Sequence, residues 1–255
     1  MIANFGFGAM LITFLVALYG IFAAVYGVRK NSLAWVESAR ASMLLTWPLL
    51  TLTALAIIIL LTTGQYGVQY VYNVTSNSMP LYLRITALWG GQAGSLVFWS
   101  WLMAAFASAV MLRKWDRDRE FLPWVIGVSL GTLAFFLALN IFFENPFQRF
   151  WLGPNGEELV SMIRPAGAIP ITPDDGRGLN PLLRHYGMII HPPMLYLGFV
   201  SFIIPYAFAI ASLITGRTDD RWIRMTRRWA LVAWLFLSLG LLLGSRWAYD
   251  VLGWG

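Results

Sequence analysis

Two histidines, His185 and His191, occur in 255 residues, and cysteine is absent. Thiolate metal sites, iron–sulfur ligation, disulfides and a cysteine nucleophile are therefore excluded. Imidazole is the candidate ligand these residues offer to a metal or haem iron. His191 opens the stretch HPPMLYLG. A residue before proline is pushed out of helical backbone, whereas proline suits the first helical turn. Pro192 and Pro193 thus predict a helix that starts directly after His191, with the histidine as its cap and its ring free. A neutral imidazole so placed can ligate a metal or a haem iron and can titrate near neutral pH; it can equally do no more than cap a helix. His185 has no helical ligand spacing to His191 and lies between Arg184 and Tyr186, which reads as a solvated turn.

Two further stretches carry residues with chemical potential. In WGGQAGSLVFWSW, Gly90, Gly91 and Gly94, followed by Ser95, permit close backbone approach to a helix or a flat ligand, and Trp89, Trp99 and Trp101 offer large apolar faces with one polar edge. GSRWAYDVLGWG places Trp247, Tyr249 and Trp254 among glycines, with Arg246 and Asp250 as its charges. Such an aromatic shelf can hold a planar ring system, and Arg246 can pair with its carboxylates. Small-residue helix contacts and an interfacial aromatic belt account for both stretches as well. No side chain stands out as a catalytic acid or base.

These residues need elements to hold them, and composition says which. The chain is 58% hydrophobic and 12% charged, beyond what a water-soluble domain uses. Its apolar residues fall in six blocks, approximately 5–28, 43–63, 94–112, 121–143, 192–215 and 229–244. Each is long enough to cross a hydrocarbon core of about 30 Å as a helix. The blocks are continuous rather than alternating, which excludes membrane strands. We expect an all-α integral membrane protein: one bundle of about six transmembrane helices, with an uncleaved first span.

Charge sets the orientation. Arg29, Lys30, Arg40, Arg113, Lys114, Arg117, Arg119, Arg217, Arg221, Arg224, Arg227 and Arg228 lie in the connections after spans one, three and five. The remaining six basic residues of the other segments are offset by acids there, so the positive-inside rule puts both termini outside, on the periplasmic side of a bacterial inner membrane. The outer loops, 64–93 and 144–191, are long, rich in Gly and Pro, and read as lids rather than soluble domains. Within the second, GPNGEE and PDDGRG read as surface turns. Residues 245–255 then leave the last span outward. The net charge of +6 is a topology signal. No Asp, Glu, Lys or Arg interrupts the predicted spans, which counts against a proton-coupled transporter or a haem or small-molecule exporter.

The motifs SNSMP (76–80), WGGQAGS (89–95), NPF (145–147), LNPLL (179–183), HPPMLYLG (191–198) and the closing GSRWAYDVLGWG occur together and in order over most of the chain. With them the sequence resembles the N-terminal part of the CcmF-type haem lyases of cytochrome c maturation, members of the haem-handling WWD family. The resemblance implies that residues 245–255 begin the tryptophan-rich WWD segment, and that His191 is an axial ligand candidate for haem b. Trp247, Trp254, Trp89 and Arg246 are implied as parts of a haem platform, with Gly90, Gly91, Gly94, Ser95, Pro192 and Pro193 as structural motif residues. It also implies the haem chaperone CcmE, apocytochrome c and its thiol-handling partner CcmH as partners, and a second chain carrying the remaining histidines. Location follows as the bacterial inner membrane, or the mitochondrial inner membrane for a plant-type organelle. A non-enzymatic membrane scaffold is the alternative role.

Overall fold

The computed structural model describes residues 1–116, 118–217 and 219–253. Among them six helical segments are long and apolar enough to cross a membrane. They are α1 (Ile2–Arg29), α2 (Leu33–Thr62), α5 (Gln92–Met111), α6 (Leu122–Phe142), the pair α7 (Gly187–Ser201) and α8 (Ile203–Thr215), and α9 (Arg221–Leu252). The protein is mostly helical, as its apolar blocks predict. Two short helices, α3 (Gln69–Val74) and α4 (Leu81–Thr86), lie between α2 and α5.

Burial along α1 explains how the bundle packs. Ala3, Gly6, Met10, Thr13, Ala17, Gly20, Ala24 and Gly27 are buried, in alternating steps of three and four that keep them on one stripe. The stripe lies against α2 and α6: a β-carbon on Gly20 would come within 2.4 Å of Leu130, and one on Gly6 within 2.4 Å of Phe147. Phe5, Ile12, Leu15, Tyr19 and Phe22 point outward. Lipid is as apolar as leucine, so segregation by hydrophobicity gives nothing; small residues go inside because they let backbones approach.

The segment after α6 departs from the all-α expectation. It forms a small antiparallel sheet of order β2-β1-β3, from β1 (Arg149–Leu152), β2 (Glu158–Ser161) and β3 (Ile169–Pro170). Arg149 pairs with Ser161 and Trp151 with Pro170. The two long connections are clasped together at this end. Asp175 accepts hydrogen bonds at 2.7 Å from the amides of Asn77 and Gly176, the Asn77 amide group donates to the Asp174 carbonyl, and the Tyr66 hydroxyl donates to Asn77. Arg84 donates to the carbonyls of Met79, Thr62 and Asn77. Those amide bonds, with Tyr66 and Arg84 alongside, hold the Asp175 carboxyl below its ordinary range. Partial burial pushes the Tyr66 phenol up. PDDGRG is therefore not a free surface turn: it is the strap that binds SNSMP.

At the opposite end the half-connection between α5 and α6 is tied to α9. Asp118, buried, pairs with Arg113 and Arg221, each at 2.5 Å, and the Arg113 guanidinium lies 4.8 Å from the Trp115 ring.

Three segments differ from their predicted extents: the second starts at Leu33, so that Arg40 lies within α2 and not in a connection. The fifth span starts at Gly187, upstream of the histidine, and is broken at Phe202 between α7 and α8, because Pro205 cannot donate to the Ser201 carbonyl. The sixth continues through residues 245–252 as helix rather than leaving the bundle as an extended shelf. Thr226, Ala233 and Gly240 are its buried residues, so most of α9 is open to its surroundings.

Candidate functional site

His191 lies at the crossing of α7 and α9, a crossing made possible by glycine. A β-carbon on Gly198 would lie 2.5 Å from the Leu237 amide, one on Gly240 2.7 Å from Leu195 Cα, and one on Gly187 2.7 Å from the Trp247 ring. One on Gly244 would lie 2.5 Å from His191 Cε1. The imidazole thus fills the hollow that Gly244 leaves.

The expectation that His191 caps a helix is corrected here: Tyr186 takes the N-cap and His191 is inside α7, with Pro192 and Pro193 also within the helix. Pro192 has no amide to give the Met188 carbonyl, the cost that normally ends a helix. The indole of Trp89 supplies the missing donor at 2.9 Å. Trp89, from the turn before α5, is therefore joined to the histidine helix through its backbone and does not lie beside the histidine ring.

The ring itself is fixed by one hydrogen bond. Nδ1 lies 2.8 Å from the Gly240 carbonyl, which can only accept, so Nδ1 carries the proton and Nε2 keeps its lone pair. Nε2 has no hydrogen-bond partner among the described residues and His191 is half-buried, whereas the indole nitrogen of Trp247 is buried and unpaired. The two rings lie 5.7 Å apart. A backbone carbonyl holding one imidazole nitrogen while the other is free is the usual outer-shell arrangement of a metal-ligating histidine. His185 has the opposite tautomer. Its Nδ1 accepts the Gly187 amide at 3.1 Å, and its ring stacks on Tyr186.

The remaining predicted residues divide. Arg246 is paired with Asp250 at 3.0 Å, and the Tyr186 hydroxyl donates to the same carboxylate oxygen, so the arginine already has a counter-ion one turn from Trp247. Gly90, Gly91 and Gly94 receive protein side chains: Leu179 packs on Gly90, and Tyr70 on Gly91 and Gly94. The Tyr70 hydroxyl donates to the Ala87 and Leu88 carbonyls at 2.8 and 3.1 Å. Burial pushes that phenol far up, so it remains a donor. Ser95 donates to the Trp89 carbonyl and accepts from Tyr196, which ties α5 to α7. Trp254 lies outside the described residues. Tyr70 and the Asp175 strap are the contributors that motif reading missed; the tyrosine-rich run before WGGQAGS was the signal for the first.

As a haem site this arrangement offers one imidazole nitrogen with its lone pair free, a tryptophan beside it and an arginine nearby. The donor chemistry fits a single axial ligand. Among the described residues no group of three or more His, Cys, Asp or Glu could hold a further metal ion.

Comparison with known proteins identifies the family of the chain. A family model described as cytochrome C assembly protein matches residues 89–255. The cytochrome c-type biogenesis protein CcmF of Haemophilus influenzae is 36% identical over 255 residues, covering all of this chain and 37% of that protein. CcmF of Escherichia coli K12 is 34% identical over 258 residues with the same coverage, and NrfE of H. influenzae is 30% identical over 263. A solved structure titled "Cytochrome c Heme Lyase CcmF" superposes with a TM-score of 0.80 over all of this chain and 37% of that one, at 24% identity. The chain thus spans just over a third of the length of these relatives and is similar to their N-terminal part. With its six apolar helices, it is a multi-pass protein of the bacterial inner membrane. It belongs to the cytochrome c assembly protein family.

Proposed function

We propose that this chain forms part of a haem lyase assembly, holding haem at the outer membrane face while it is attached to apocytochrome c. The observation that carries the reading is the hydrogen bond from His191 Nδ1 to the Gly240 carbonyl, which leaves Nε2 as a fixed, available ligand atom. The orientation it requires, both termini and the loops on the periplasmic side, is the one favoured by the Arg and Lys distribution.

The protein's part is positional. Gly240 sets the tautomer, Gly244 makes room for the ring, and Trp247 stands beside it as a flat apolar wall. Trp89 keeps the proline-bearing start of α7 hydrogen-bonded, and so keeps the imidazole in register. Haem, as the substrate delivered by the carrier CcmE, contributes iron for the histidine and two vinyl groups for reaction. Each cysteine thiol of an apocytochrome CxxCH segment adds across one vinyl double bond: sulfur bonds to one carbon, the thiol proton goes to the other, and nothing is oxidised. Holding thiol and vinyl in a near-attack geometry is the contribution such a site can make. CcmH, handling those thiols, and the sequence that corresponds to the remaining two-thirds of the relatives' length complete the proposed assembly.

The test is His191→Gly, co-produced with the rest of the assembly and assayed for haem retention and for covalent cytochrome c. We expect both to fall, and added imidazole to restore the haem spectrum. A variant that keeps its haem, or one that folds, loses haem and does not respond to imidazole, would leave His191 with the structural role of a scaffold residue.

A further inference from the structure

The geometry points to a second binding site, for the phosphate headgroup of an anionic phospholipid, in the cleft between the small sheet and the start of α1. The cleft measures about 410 Å³ and is lined by Arg149, Trp151, Met162, Ile163, Arg164 and Phe7, with Asn4 at its edge.

Its charge is uncompensated. Arg149, on β1, donates to the side chain of Asn4 through Nη2 and lies 5.7 Å from the Trp151 ring. Arg164 donates through Nε to the Ala168 carbonyl at 2.7 Å. Neither guanidinium is in an ion pair with a carboxylate among the described residues, although Arg40, Arg113, Arg119, Arg217, Arg221, Arg224 and Arg246 all are. Two guanidiniums line one cleft, and Arg149 Nη1 and both Nη groups of Arg164 take no protein acceptor among the described residues, an arrangement that suits a phosphate.

Location supplies the other half of the ligand. Asn4 and Phe7 belong to the first turns of a membrane-spanning helix, so the cleft lies at headgroup depth. Below it, on the face of α1 that carries Asn4, the exposed side chains of Leu11, Leu15 and Leu18 continue at steps of seven, eleven and fourteen residues as an apolar track for an acyl chain. Ile163, 79% exposed at the rim, is placed for the same boundary. A free anion would use the arginines and leave this track bare; a glycerophospholipid uses both. The site is independent of the haem reading, since it shares no residue with the α7–α9 crossing.

The experiment compares the protein, extracted from its membrane together with its natural assembly, with an Arg149→Gln/Arg164→Gln double variant. Native mass spectrometry in lipid nanodiscs reads retained phosphatidylglycerol. Two cations next to an anionic surface are worth about fivefold each, so retention should weaken about thirtyfold. Arg177→Gln, which removes a loop arginine stacked on Tyr72, should retain lipid as the parent does. If the double variant does not fold, the parent alone decides: its unfolding midpoint must be higher in phosphatidylglycerol than in phosphatidylcholine, with no equal gain from inorganic phosphate. Equal lipid retention in parent and double variant, equal midpoints in the two lipids, or full saturation by inorganic phosphate would each overturn the lipid site.

Discussion

Replacing Trp89 by phenylalanine removes the one side-chain donor to the Met188 carbonyl and keeps an aromatic ring against Phe98, whose centroid is 5.2 Å away. Met188 is buried and residue 192 is proline, so no backbone amide can take the vacated place. Orphaning a buried acceptor costs about 1–3 kcal/mol in soluble proteins, and side-chain hydrogen bonds within membranes average nearer about 0.6 kcal/mol. We expect Trp89→Phe to lose about 1 kcal/mol in SDS-titrated unfolding in mixed micelles. The second arm separates this bond from ring size. Pro192→Ala returns an amide that can donate to Met188 along the helix, so in that background the same Trp89→Phe change should cost only a few tenths of a kcal/mol. The difference is the coupling energy of the indole with the proline-freed carbonyl. Equal costs in the two backgrounds would show that Trp89 matters only as bulk, and the account of how two prolines are tolerated beside His191 would be refuted.

Three further expectations follow from the same geometry. Gly244→Ala places a methyl against the His191 ring and should cost about 1–3 kcal/mol with reduced haem retention, whereas Gly127→Ala, with nothing within 4 Å, should be neutral or stabilising by about 0.5–1 kcal/mol; parallel unfolding and haem titrations distinguish the two. Tyr70→Phe strips the donor from the Ala87 and Leu88 carbonyls and should cost about 1–3 kcal/mol by the same unfolding assay. The Asp175 carboxyl is held below its ordinary value of 3.8, so its stabilisation of the loop clasp is fully present above that value and is lost as pH falls through the lower folded one. Limited proteolysis at the 174–178 strap should stay slow down to about pH 4 and accelerate below it, and Asp175→Asn should abolish that dependence.

The spans were legible because a helix in lipid must satisfy its own backbone, so apolar length alone identifies it. Their packing does not follow from apolar length: its signal is the three-four spacing of small residues on α1, which turn inward in place of the large ones. The sheet was not legible: its strands have four, four and two residues, and their partners are set by the clasp and by Val68, which bridges to Arg149, not by alternation along any one strand. At the site, HPP reads as a helix start with His191 as its cap, whereas the helix begins at Gly187 and runs through both prolines. What lets it do so was invisible because the compensating donor lies 99 residues earlier in the chain. The steric restriction on the residue before proline is a bias that packing overrides here, and the separate cost, the carbonyl that proline leaves without a donor, is met by the indole. The histidine tautomers were equally out of reach of sequence, since each depends on a backbone group that only the folded crossing of α7 and α9, or the turn at Gly187, brings into place.

The break at Phe202 divides the fifth span mechanically. Above it, α7 travels with α9 through the glycine crossing; below it, α8 is seated on α6, with Phe208 buried against Trp115 and Phe121. A helix continuous from Gly187 to Thr215 would transmit a tilt at His191 as a lever, displacing its far end in proportion to its length. A jointed one uncouples the two halves: a tilt of α7 with α9 need not displace α8 from α6 or load the Asp118 anchor at the other membrane face.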